Sequence, residues 1–179
     1  KVPVGVCSST RHILLSRPVT VGERLNPTGK KLLKQALTDG DMGYICRQAV
    51  AQQEQGAEIL DINVGIPGAN EEELMKKVVA AVRSVSDLPL QIDSSDPAAI
   101  EAGLRLAGGR SIVNSVNGKE ESLTAVLPIV KKYGAVVVGL TLDENGIPET
   151  SEGRVEIAKK IISRCEEAGI PRADIAIDC

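Results

Sequence analysis

Short runs rich in Val, Ile and Leu alternate along this chain with longer segments of helical period. That alternation limits its folds more than any single motif does, because it is the pattern of a parallel sheet covered by helices. Six runs fall at residues 19–22, 58–64, 88–92, 111–113, 135–142 and 174–178. Between them, residues 42–55, 71–85, 97–107, 119–133 and 152–168 carry apolar side chains three and four apart, as on one face of a helix. The punctuation agrees. Gly56, Gly108 with Gly109, Gly134 and Gly169 each sit just past a helical segment, where a left-handed cap is needed. Asp96 can cap a helix whose first position is Pro97, and Ser151 marks another start.

Two architectures fit β/α alternation, an open doubly wound sheet and a closed eight-stranded barrel. The open sheet usually carries a glycine-rich phosphate turn after its first strand. Here that place reads GERLNPTGKK, with Gly22 and Gly29 too far apart for either phosphate-loop pattern. The reading is therefore an α/β fold of the (β/α)8 TIM-barrel class. With six strands in 179 residues, the barrel is expected to be truncated after its sixth strand, as part of a longer polypeptide. The barrel domain is assigned to residues 19–179. Residues 1–18 hold two prolines and no clear period, and are read as a linker or an arm packed on the outside. Residues 28–39 look like a short extra helix or ordered loop carrying Lys30, Lys31 and Lys34, whose simplest role is a solvated face.

In β/α barrels the chemistry sits at the carboxyl ends of the strands. The polar residues there are Glu23, Arg24 and Asn26; Asp61 and Asn63; Asp93, Ser94 and Ser95; Asn114, Ser115 and Asn117; Thr141 and Asp143; and Asp178. Asp143 with Asn145 and Gly146 reads most simply as a turn. Asp93 and Asp178 have helix capping as their plain alternative, and Glu23 with Arg24 a structural network at the rim. Carboxylates and amides together suit a ligand rich in N–H donors, and a 2-amino-4-oxopyrimidine ring is one such ligand. Other chemistries drop out. His12 is the single histidine and the four cysteines lie at positions 7, 46, 165 and 179. No zinc spacing and no histidine triad is available, so no metal site is expected. A net charge of −3, scattered basic residues, two Tyr, no Phe and no Trp argue against nucleic acid. Apolar runs stay far below the ~20 residues of a membrane span, and the expected location is the cytoplasm.

The motifs GERLNPTGKK, LDINVG at 60–65, QIDSS at 91–95, IVNSVNG at 112–118 and IAIDC at 175–179 also carry a family resemblance. Together, in this order, they resemble the pterin-binding methyltransferases. The chain is similar in particular to the folate domains of cobalamin-dependent methionine synthases and to the methyltetrahydrofolate:corrinoid/iron-sulfur protein methyltransferases. The resemblance implies that Asp93, Asn114 and Asp178 hold the aminopyrimidine edge of a pterin, with Glu23, Asp61 and Asn63 lining the same pocket. It implies methyltetrahydrofolate as methyl donor and a Co(I) corrinoid, cobalamin for instance, on a partner domain or protein as acceptor. No catalytic nucleophile is implied. The segment VCSSTRHILLSRP resembles the connector that follows a homocysteine-binding domain, which would then lie N-terminal in the parent chain. Dihydropteroate synthases share the pterin pocket, but their first-strand motif departs from ERLNPTGKK. A pterin- or corrinoid-protein-binding module without turnover is the remaining alternative.

Overall fold

The structure, a computed structural model, describes residues 4–179. Two short strands, β1 (Gly5–Cys7) and β2 (His12–Leu14), form an antiparallel hairpin. The main body then runs β3 (Val21–Leu25), α1 (Lys31–Asp39), α2 (Met42–Glu54), β4 (Ile59–Asn63), α3 (Glu71–Arg83), β5 (Leu90–Asp93) and α4 (Pro97–Leu106). It continues through β6 (Ile112–Asn117), α5 (Glu120–Tyr133), β7 (Val136–Leu140), α6 (Ser151–Glu167) and β8 (Ile175–Asp178).

The six strands β3 to β8 are parallel and pair strictly in chain order. A doubly wound sheet would reverse its order at a switch point; an uninterrupted order is the arc of a barrel. Each strand then has an outer face under the helices and an inner, concave face. Leu60, Ile62, Leu90 and Ile92 join the core beneath the helices, with Met75, Val78, Ile100 and Leu104. Gly103 makes this packing close: a Cβ there would stand 2.9 Å from the Ile92 Cγ2.

Helix ends follow the capping chemistry. The Asp41, Asn70, Asp96 and Thr150 side chains each accept a backbone N–H in the first turn of α2, α3, α4 and α6, so Thr150, one residue before Ser151, caps the last helix. At the other ends Gly56, Gly108, Gly134 and Gly169 all adopt positive φ.

The amino-terminal segment differs from the outside arm expected of it. Val6 is fully buried on Ile59, Ile112 and Val136, and Val4, Ile13, Leu15 and Val19 flank this cluster. Ile59 and Val136 are at the starts of their strands, so the hairpin closes the floor of the barrel. Arg110 fixes it there, its guanidinium donating to the carbonyls of Gly5 at 3.0 Å and Gly134 at 2.7 Å and pairing with Asp174 at 2.6 Å. Gly109 has no room for a side chain, since a Cβ would lie 2.1 Å from the Cys7 carbonyl oxygen.

Candidate functional site

The strand registers place the polar residues in rows. In parallel pairing, residues opposite one another face the same side of the sheet. Asp61 stands opposite Gln91, Asn63 opposite Asp93, and Asp93 opposite Asn114. The inner face of this part of the arc is thus apolar at the floor, with Ile59, and mostly polar above it, where Ile112 continues the row of Asp61 and Gln91. Asp61 and Gln91 form a lower layer; Asn63, Asp93 and Asn114 form an upper one.

The upper row opens into a cavity of about 590 Å³, within the range of small-molecule sites. Asn63, Asp93, Ser94, Ser95, Asn114, Ser115 and Asn117 give it polar walls; Pro97, Ala125, Val126 and Leu140 give it an apolar side. Asp93 does not cap α4, a role taken by Asp96. Instead its carboxylate accepts the amide of Asn26 at 3.0 Å, which holds the loop after β3 against the mouth. Burial raises the Asp93 carboxyl above its usual range; the Asn63 and Asn26 amides oppose this, while Glu23 and Glu71 add to it.

Asp61 lies differently. It is 1% exposed, does not line the cavity, and accepts the Gln91 amide at 2.7 Å through Oδ1, while Oδ2 has no partner. Burial pushes its carboxyl up to about 7; the Gln91 hydrogen bond and the nearby Asn26 amide work against this, and Asp93 and Glu23 add to it. Glu23 is exposed on the edge strand β3 and outside the cavity wall.

Asp178 also stands apart. It ends β8 opposite Leu140, is exposed, and lines a neighbouring cavity of about 350 Å³ with Thr141, Ile147 and Arg154. Leu140 borders both cavities. The structure therefore brings Asn63, Asp93 and Asn114 together, sets Asp61 beneath them, and leaves Glu23 and Asp178 on the two edge strands. Among residues not singled out by sequence, Gln91 is the period-two companion of Asp93, hidden inside an apolar run. Glu71, at the start of α3, accepts the Ser94 hydroxyl; no spacing rule links residues 71 and 94.

The sequence and the fold have relatives among known proteins. Residues 22–179 match the profile described as "pterin binding enzyme". The chain belongs to the pterin binding enzyme family. Within it, the chain is 35% identical over 165 residues to the methionine synthase of Mycobacterium leprae, and 31% identical over 162 residues to the methylcorrinoid:tetrahydrofolate methyltransferase of Eubacterium limosum. Each match covers 89% of this chain, but 14% and 59% of those two proteins, so the chain spans only part of the relatives it matches. In fold it is similar to a dihydropteroate synthase of Yersinia pestis solved with a pterine-sulfa conjugate. That likeness has a TM-score of 0.71 at 21% identity, over 98% of this chain and 64% of the other. A Xanthomonas albilineans dihydropteroate synthase in complex with 7,8-dihydropteroate gives a TM-score of 0.66 at 23% identity, over 98% of this chain and 64% of the other. At such identities the likeness speaks for the barrel alone. Among the described residues no helix is long and apolar enough to cross a membrane.

Proposed function

We propose that this pterin binding enzyme chain seats methyltetrahydrofolate at the barrel mouth and positions its N5 methyl group for transfer to a corrinoid carried by a partner domain or protein. The observation that carries the reading is the upper row of Asn63, Asp93 and Asn114 on one cavity wall. An aminopyrimidine edge presents adjacent N–H donors and a carbonyl. A carboxylate accepts two of the donors side by side, and the flanking asparagines can both accept and donate. The apolar side at Ala125, Val126 and Leu140 suits a ring face. Asp178, on the far side of Leu140, completes the edge when the ligand spans both cavities, and Glu23 borders it from β3.

The corrinoid, when bound on its partner, supplies the methyl acceptor. The chain's own work is to orient the donor and exclude water, which needs no protein nucleophile. Names of relatives support this direction, since a methionine synthase and a methylcorrinoid:tetrahydrofolate methyltransferase are both similar to the chain. By the same reading the parent protein works in methionine synthesis in the cytoplasm, with a homocysteine-binding domain on its N-terminal side. A single-turnover experiment tests the proposal: the chain is mixed with methyltetrahydrofolate and a reduced corrinoid, and the corrinoid spectrum is followed. Methyl uptake by the corrinoid at a rate far above the protein-free control is expected. Tight folate binding without any transfer would leave a binding module, and no binding would overturn the reading.

A further inference from the structure

Beneath the cavity wall lies a carboxyl group that does not itself reach the cavity. Asp61 is buried, and its Oδ2 has no hydrogen-bond partner. A buried, unpaired carboxylate is costly, and the group escapes the cost by keeping its proton. Its surroundings reinforce this. Glu23 of β3 and Asp93 of β5 act this way, and Glu71 of α3 acts in turn on Asp93, while the amides of Gln91 and Asn26 oppose it. None of Glu23, Asp61 and Asp93 has a Lys or Arg ion pair among the described residues. Three carboxyl groups therefore stand near one another without an ion pair, the cations at the mouth being Lys30, whose ammonium donates to the Asn26 carbonyl, and Lys119 on the cavity wall, and the most buried of the three keeps one oxygen without a partner.

Resting on the reading that a pterin occupies the cavity, we propose that Asp61 is a proton-uptake residue: a ligand seated on the row above it drives a solvent proton onto the Asp61 Oδ2. The cause is desolvation. A ring over Asn63, Asp93 and Asn114 replaces the solvent filling the cavity above with a less polar body, which lowers the dielectric around the buried Asp61 and makes its ionised form harder to sustain. The balance is simple, with one proton leaving solvent or buffer and one O–H bond forming. Already held near neutrality in the free protein, Asp61 is placed so that binding moves its titration across the working pH. Asp61 acts here through the wall it supports, as a positioning residue. Affinity should weaken by about tenfold between pH 6.5 and 8.5, because the bound state holds the proton more tightly than the free one.

Calorimetric titration of the full chain with methyltetrahydrofolate at pH 7.5, in two buffers of different ionisation enthalpy, reads the proton count directly. The expected result is uptake of about half a proton per ligand in the wild type and none in Asp61→Asn. The amide of that variant would keep an oxygen for the Gln91 side chain, and a thermal melt checks that the variant folds. Independently of any variant, the wild-type infrared difference spectrum on adding ligand should gain a protonated-carboxyl band. Equal heats in both buffers together with no such band would overturn the inference while leaving the folate reading intact. Uptake that persists in Asp61→Asn and vanishes in Glu23→Gln would overturn it as well, by moving the proton to Glu23. A chain that binds no methyltetrahydrofolate overturns the folate reading, and this inference with it.

Discussion

The two ends of the barrel solve opposite problems with the same strands. At the floor, Ile59, Ile112 and Val136 meet Val6 of the hairpin, and Arg110 beside them donates to two carbonyls and pairs with Asp174. At the mouth, only a few residues further along those strands, Asn63, Asp93 and Asn114 face a cavity, and Asp61 keeps an oxygen unpaired. The floor stabilises; the mouth gives up stability for a ligand. Substitutions at the floor should therefore act on folding, and substitutions at the mouth on binding.

The largest effect belongs to Val6→Asp. A charge buried among Ile59, Ile112 and Val136 should lower the unfolding free energy by about 3–5 kcal/mol, read as an earlier midpoint in urea. Gly109→Ala should follow, at about 2–3 kcal/mol. Its Cβ meets the Cys7 backbone, which no rotamer change can relieve, and near-wild-type stability would break the account of how the hairpin is fixed. At the mouth, Asp93→Ala should weaken methyltetrahydrofolate binding by about 2 kcal/mol, near thirtyfold, for the loss of charge-assisted hydrogen bonds. Its melting temperature should move much less than that of either floor variant.

An effect of opposite sign sharpens the contrast, because one mouth substitution should raise stability. Unfolded Asp61 ionises near 3.8, whereas the folded chain keeps the proton up to about 7. Between those values the unfolded state has lost its proton and the folded state has not, so wild-type stability falls as pH rises. Asp61→Asn cannot ionise. It should match wild type well below pH 4 and become progressively more stable than wild type as the pH rises to 7, in denaturant curves taken across that range.

The division between floor and mouth was only partly legible in the sequence. Strands and helices stand out because their periods of 2 and 3.6 extend over enough residues, and the lack of a phosphate loop after β3 favoured the barrel. Boundaries shifted where the ladder is irregular. The first strand, expected at 19–22, runs through Leu25, and the fourth, expected at 111–113, runs through Asn117; each contains a register shift. The hairpin was missed because strands of three residues, one of them largely exposed, show no alternation to read. Asp93 and Asn114 could be picked out because each follows an apolar run, and Asn63 because it interrupts one. Their separation from Asp178, and the burial of Asp61 below them, depend on register and on which neighbours cover a strand. Neither is written in any local pattern.

The central claim is that the mouth row holds a pterin edge, and calorimetric titration of methyltetrahydrofolate into wild type and Asn114→Ala tests it most directly. Saturable one-to-one binding to the wild type is expected, weakened about tenfold in the variant at an unchanged melting temperature, the loss matching about one hydrogen-bonded contact. Equal affinity in the two proteins, or no binding to either, would contradict it.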